Sequence, residues 1–272
     1  MTLPGQDGWR AAKRTLDIGG GRAVAYVDSG GQGPVLLGLH GFTDSSRSFS
    51  LIAPYLEGLR VIAPDLRGHG ASFQPADGFD IADFAGDMAA FCDRLGLARP
   101  FLAGHSLGAM VALDLAASRP DGFAGVVTLA GSLRPGIGAR HPIAIAVSGL
   151  TDPIDPRDAL FAEWHATSVA VDAGFLRHVA AEAAAMPVDV WRAVLATLGT
   201  ADLRLPAGEI RARVLCVSGD QDPLFGPAHA AELAAALRAP DRLLLAGCGH
   251  NPHWEQPAEV ARAIRAFIFS PT

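Results

Sequence analysis

Two hydrophobic patterns alternate along the first half of the chain. Residues 34–40, 60–65, 101–103 and 124–130 are short, almost unbroken apolar runs, the pattern of parallel strands buried on both faces. Between two of them Ile81, Phe84, Met88, Phe91, Cys92 and Leu95 recur at helical spacing, which predicts a covering helix over 80–97. Its stripe of Phe and Met reads as core rather than as a cofactor box. Further helices are predicted over 46–56 and 109–118. Ahead of these, residues 14–19 and 22–29 alternate apolar and polar side chains around Gly19, Gly20 and Gly21, predicting an antiparallel hairpin at a sheet edge. Strands and helices in this alternation predict an α/β fold, a mostly parallel sheet with helices on both faces.

The alternation then stops. Between 132 and 211 no apolar run resembles a central strand, and the helix-compatible segments are 156–166, 173–185 and 188–198. The sheet resumes at 213–219 and 242–246, with helices predicted over 227–237 and 258–269. This divides the chain into a first core part (1–132), a helical cap insertion (133–212) and a second core part (213–272). An insertion at the carboxyl edge of such a sheet is expected to face ligands, as a lid, although a loosely attached helical subdomain would read the same way.

Length and composition narrow the possibilities. At 272 residues, half of them hydrophobic and 18% charged, the chain suits one globular α/β domain with an insertion. The net charge of −6, with no basic stripe, argues against a nucleic-acid surface. Cys92, Cys216 and Cys248 show no C-x-x-C spacing and read as free thiols in a reducing compartment. Residues 1–14 lack an apolar h-region, and no stretch approaches the ~18 apolar residues that span a bilayer. The expectation is therefore a soluble, cytoplasmic protein with a small-molecule partner and no membrane or nucleic-acid partner. The sequence sets no oligomeric state.

The candidate chemistry centres on Gly104, His105, Ser106, Leu107 and Gly108, a G-x-S-x-G pattern between a predicted strand and a predicted helix. Glycine on both flanks lets strand and helix pass closely at a sharp turn, and the helix N-terminus then points at whatever Ser106 attacks. A buried cap is the plainer role for such a serine. A serine nucleophile needs a base, and the base an orienting acid. His250 and Asp222 both follow predicted strand ends, in the chain order nucleophile, acid, base. Asp220 competes for the acid role, and Asp152 and Asp155 are weaker candidates; Pro223 ends the turn at Asp222 and favours it. Two backbone N–H groups, those of Leu107 and of Phe42 in His40-Gly41-Phe42, could form an oxyanion hole. Asp65, Arg67, Gly68 and Gly70 read as a loop brace, and Trp254 and Glu255 as anchors behind His250. Cys248 reads as small packing, with a reactive role as the alternative. His69, His105, His229 and His253 lack zinc-ligand spacing, so no metal is assigned.

With these segments the chain resembles the α/β-hydrolase superfamily over nearly its full length. The matching stretches are 40–42, 65–72, 104–108, 219–222 and 249–250. The resemblance implies an eight-stranded sheet, a helical cap after the sixth strand, no cofactor, and a triad carried by Ser106, Asp222 and His250. Haloalkane dehalogenases and epoxide hydrolases of the superfamily carry aspartate where this chain has Ser106, which turns the expectation away from those activities. The reaction expected is hydrolysis of a small, largely apolar carboxylic ester or lactone through an acyl-enzyme. A carbon–carbon bond hydrolase of the ring-cleavage type stays open; Trp254 fits it, whereas Asn251 departs from the pattern. So do a cofactor-free perhydrolase and a ligand receptor on the same fold. His40, Gly41, Trp164 and Trp191 are candidate substrate contacts, and Phe161, Phe175 and Met186 complete an apolar set that could line a pocket or form only the lid's core.

Overall fold

A computed structural model describes residues 4–238 and 240–270. The strands are β1 (Arg14–Asp17), β2 (Ala23–Asp28), β3 (Val35–Leu39), β4 (Arg60–Pro64), β5 (Phe101–His105), β6 (Gly125–Leu129), β7 (Val214–Gly219) and β8 (Asp241–Leu245). They form one eight-stranded sheet in the order β1-β2-β4-β3-β5-β6-β7-β8. Pairing is antiparallel from β1 to β2 and from β2 to β4, and parallel from β4 through to β8. The unbroken apolar runs have a direct cause. Along β3 and β7 successive side chains enter opposite cores: Leu37 and Cys216 pack on one face, Leu36, Leu215 and Val217 on the other. A strand apolar on both sides loses its alternation.

The helices are α1 (Ile81–Leu95), α2 (Leu107–Ser118), α3 (Pro142–Ser148), α4 (Ala159–Trp164), α5 (Ala173–Ala184), α6 (Val188–Thr200), α7 (Arg204–Glu209), α8 (Pro227–Ala236), α9 (Pro252–Glu255) and α10 (Pro257–Phe269). Helix α1 starts where the Asp83 carboxylate accepts the Asp80 N–H at 3.0 Å, and ends at Gly96, whose φ of 64° suits glycine. Its predicted stripe is buried from Ile81 to Cys92. Helix α2 is buried nearly all round, between the sheet, α1 and α7, so it has no polar face to show in its sequence. On the other face α10 buries Val260, Ala261, Ile264, Phe267 and Ile268. Among the described residues no helix is long and apolar enough to cross a membrane.

Two local expectations need correction. Residues 46–56 do not form one helix; they make two 3₁₀ turns, Ser46–Phe49 and Ala53–Tyr55. Pro54 brings no N–H, and the serines bond outward: the Ser46 N–H goes to Asp65 Oδ1 at 2.8 Å and Ser48 Oγ to Asp44 Oδ2 at 3.1 Å. The segment predicted as a helix over 156–166 begins only at Ala159, because the Asp158 carboxylate accepts the Leu160 N–H at 2.8 Å and starts the helix there.

Helices α3 to α7 all stand between β6 and β7. They are tied to the loop after β3 through Glu182 of α5, which accepts from Ser45 Oγ at 2.5 Å and Arg47 Nε at 2.8 Å. Thr197 Oγ1 of α6 donates to the Phe79 carbonyl at 2.9 Å.

The turn after β4 is organised by Asp65, which is fully buried. It accepts from Lys13 Nζ at 2.7 Å and from the N–H groups of Ser46 and Ala71, both at 2.8 Å. Arg67 in turn donates to Asp87 Oδ2 at 2.6 Å and to the Gly78 carbonyl at 2.6 Å. Replacing Asp65 by alanine strands the buried Lys13 ammonium and two N–H groups. We expect Asp65→Ala to lower the unfolding free energy by about 3–5 kcal/mol, read from urea titrations of the two proteins.

Candidate active site

The parallel strands bring their carboxyl ends to one edge, and four of the loops leaving that edge build the site. Ser106 follows β5 directly, with φ 50° and ψ −112°, a conformation costing a non-glycine residue of order 1–3 kcal/mol. Neighbouring atoms over-determine it. The Ser106 N–H is bound to the Leu129 carbonyl at 3.0 Å, and its own carbonyl receives the Ala109 N–H at 3.0 Å. A Cβ on Gly104 would run into the Gly108 carbonyl and lie 2.6 Å from Ala109 Cα. One on Gly108 would strike the Leu39 carbonyl and come within 2.6 Å of the His40 carbonyl. The two glycines thus let the turn close and let the end of β3 lie against the start of α2.

Ser106 Oγ is 3.0 Å from His250 Nε2, and His250 Nδ1 lies 3.0 and 2.9 Å from the two oxygens of Asp222. Because a carboxylate only accepts, the Nδ1 proton points at Asp222, leaving Nε2 free to accept from the hydroxyl. Asp222 is buried, and Oδ1 also receives the N–H groups of Leu224 and Phe225 at 2.8 and 2.9 Å. Burial raises its carboxyl, but the hydrogen bond and charge of His250, with those two N–H groups, outweigh that and hold it below the ordinary range. Phe225 stands edge-on to the His250 ring at 5.1 Å.

Of the competing acids, Asp220 is exposed and accepts the Gly247 N–H at 2.7 Å, bracing a turn. Asp152 accepts the Val188 N–H at the start of α6, and Asp155 pairs with Arg157. His250 is held from behind by Glu255, a buried carboxylate that receives the N–H groups of Gly249, Ser168 and Val169 at 3.0 Å and of Asn251 at 3.3 Å. Trp254 Nε1 donates to the Ser48 carbonyl at 3.0 Å, joining this loop to the one after β3. Cys248 is fully buried, its thiol pushed up to about 12 by burial, with Glu255, Asp222 and Asp220 adding to it.

Leu107 and Phe42 supply the two candidate oxyanion donors. Among the backbone hydrogen bonds of the described residues, neither N–H is given to a carbonyl. The Phe42 ring is flanked edge-on by Trp164 at 5.7 Å and Trp191 at 5.3 Å, both from the insertion, and Trp164 Nε1 donates to Thr43 Oγ1 at 2.7 Å.

Beside Ser106 and His250 opens a cavity of about 220 Å³. Trp164 lines it, as do Phe42, Ile143, Leu160, Leu224 and Trp254. Three expected substrate contacts do not. His40 is fully buried: its Nε2 accepts the Leu66 N–H at 2.9 Å while Nδ1 donates to the Gly41 carbonyl at 2.8 Å, so it shapes the loop. Gly41 serves as a close-packing point, where a Cβ would sit 2.6 Å from His105 Nδ1. Trp191 is fully buried and donates to the Ala183 carbonyl at 3.1 Å. Phe161, Phe175 and Met186 are likewise core of the insertion or of its seam with Trp254.

The polar lining escaped the sequence reading. Asp44, His141, Glu163, His165 and Asn251 all stand at the cavity wall. Asp44 and Glu163 carry no motif, and only proximity in the folded chain groups them. The four histidines weighed for zinc each have a structural partner, although His105 also lines the cavity: His69 Nδ1 meets the Arg67 carbonyl at 2.7 Å, His105 Nε2 the His250 carbonyl at 2.9 Å, His229 Nδ1 the Ser132 hydroxyl at 2.8 Å, and His253 Nε2 the Ser48 hydroxyl at 2.9 Å.

The family model for the alpha/beta hydrolase family matches residues 35–263. A 2-(acetamidomethylene)succinate hydrolase from Mesorhizobium japonicum is 38% identical over 117 residues, 43% of this chain and 41% of the relative. Epoxide hydrolase 3 from Siraitia grosvenorii is 38% identical over 128 residues, 46% of this chain and 39% of the relative. The chain thus spans about two fifths of the length of these curated relatives. A bromoperoxidase structure from Bacillus anthracis superposes with a TM-score of 0.84 over 95% of this chain and 100% of its own, at 22% identity, a likeness of fold.

Two outcomes follow from this wiring. Glu255→Gln replaces an accepting oxygen by a donor and leaves at least one buried N–H of the His250 loop unpaired. We expect a loss of about 1–3 kcal/mol in stability, measured by denaturant unfolding. The second concerns pH. Burial pushes His69 down to about 3 and His165 to about 4, from an ordinary 6.5. As pH falls below that ordinary value the unfolded chain takes up protons that the folded one refuses, so stability should drop steadily from pH 6.5 toward 4. His165→Phe removes one such group and should flatten the pH dependence of the unfolding free energy by up to ~1.4 kcal/mol per pH unit.

Proposed function

We propose that this chain, which belongs to the alpha/beta hydrolase family, hydrolyses a small, largely apolar carboxylic ester or lactone through an acyl-enzyme on Ser106. The observation that carries the reading is the continuous relay from Ser106 Oγ through His250 to Asp222, at 3.0 and 2.9 Å, opening on a mainly apolar cavity. In this reading His250 Nε2 takes the hydroxyl proton as Oγ attacks the substrate carbonyl. The oxygen that becomes negative is received by the N–H groups of Leu107 and Phe42. His250 then passes the proton to the leaving alcohol, activates a water against the acyl group, and returns the proton to Ser106. Asp222 holds the imidazole in the required tautomer and balances its transient charge.

The nucleophile's identity argues for acyl chemistry. An epoxide opened by a serine oxygen would leave an ether, which water does not release, whereas a carboxylate nucleophile leaves a hydrolysable ester. The epoxide hydrolase activity named for one relative therefore does not carry over to a chain with Ser106 at this turn. Attack on a carbonyl gives an acyl group that the same histidine can clear.

Burst kinetics with short p-nitrophenyl esters test the proposal. Wild type should release a burst of p-nitrophenolate that Ser106→Ala abolishes, and Asp222→Asn should reduce turnover by about 10⁴-fold. Asp220→Asn should keep the burst. Folded wild type that turns over no ester or lactone would overturn the reading.

A further inference from the structure

Among the described residues, both oxygens of every buried carboxylate but one accept a hydrogen bond. Asp65 has a lysine and two N–H groups, Asp87 has Arg22 at 2.8 Å and Arg67 at 2.6 Å, and Glu255 has four N–H groups. Asp44 has far less. Its residue is only 6% exposed, yet among the described residues its one hydrogen-bond donor is the Ser48 hydroxyl, 3.1 Å from Oδ2. His105 Nδ1 stands 3.6 Å from the same oxygen, beyond a hydrogen bond. Among the described residues no donor reaches Oδ1, and Asp44 lies at the wall of the cavity shared with Ser106 and His250.

An ionised carboxylate offers about four lone-pair sites, and burying one half-satisfied is costly. Burial raises the Asp44 carboxyl, but His105 beside it outweighs that and holds it below the ordinary range. The group therefore stays negative at neutral pH. The other charged side chain at the wall, the exposed Glu163, is also a carboxylate. Asp44 is two residues beyond Phe42 and lines the same cavity as Ser106 and His250, so a substrate seated at Ser106 lies in the space that Asp44 borders.

We propose that Asp44 is a specificity-determining residue that receives a hydrogen-bond donor on the acyl group, a hydroxyl or an ammonium, and turns away acyl groups bearing a carboxylate. The proposal rests on the acyl-enzyme reading only for the reaction, since recognition by Asp44 is a binding property. A donor at the β-carbon would fill the open lone pairs of Oδ1, while a substrate carboxylate would meet like charge at low dielectric, where repulsion is strong.

Four ethyl esters that differ only at the β-carbon test it: isovalerate, β-hydroxybutyrate, β-aminobutyrate and monoethyl malonate. Hydrolysis is followed by acid release on wild type and Asp44→Asn. Binding of the same four is measured by calorimetry on Ser106→Ala. We expect the hydroxy and amino esters to exceed isovalerate by about ten- to hundredfold in kcat/KM and in affinity, with the malonate weakest. The Asp44→Asn ratios should collapse toward one. A hydroxy preference without an amino one, or the reverse, identifies which donor the site takes and supports the proposal. Equal values for all four esters on wild type and on Ser106→Ala would overturn it, as would unchanged ratios in folded Asp44→Asn. Should Asp44→Asn fail to fold, the affinities on Ser106→Ala decide alone. Ordered binding without turnover would defeat the acyl-enzyme reading and leave this one standing; turnover without ordering would do the opposite.

Discussion

The site depends on backbone meeting backbone at the turn after β5. Strand, turn and helix can pass there only because Gly104 and Gly108 carry no side chain, and the same absence brings the end of β3 against α2. Ser106 then holds a strained conformation that the Leu129 carbonyl and the start of α2 enforce. Strain of this kind persists only where its surroundings over-determine it. The sheet register, Leu39 beside Gly104 and His105 beside Leu129, brings the neighbouring strand ends level with the turn.

Around that point the loops are also stitched to one another. Glu255 gathers four N–H groups, two of them from residues 168 and 169 of the insertion. Ser48, His253 and Trp254 join the loops after β3 and β8, and Glu182 ties α5 to Ser45 and Arg47. Glu182 is half-buried and the others are buried, and each takes at least one partner from a distant part of the chain. Satisfying it fixes the loops relative to each other.

That design explains what the sequence could and could not disclose. Central strands were legible because both their faces are buried, and the serine turn because its glycines are a steric necessity. Pro223 points to Asp222 rather than Asp220 as the candidate partner of His250, and both oxygens of Asp222 lie within hydrogen-bond distance of it. Residue type and neighbourhood do not disclose which way His40 and Trp191 face: one spends both nitrogens on the local backbone, the other packs behind Phe42. The broken helix at 46–56 was hidden for a similar reason, since its serines are claimed by Asp65, Asp44 and His253 from other segments. Asp44 and His165 at the cavity wall have no local signature at all.

The seating of the Phe42 ring between Trp164 and Trp191 has a consequence for how such a protein can diversify. The insertion that walls the cavity also sets the posture of the loop that carries a candidate oxyanion donor. It is therefore no interchangeable module. A new insertion, acquired by recombination or grafted by design, would have to bring two aromatic flanks in register with residue 42 before any change in selectivity could be felt. Drift in the walls is free to proceed residue by residue, whereas wholesale exchange is not.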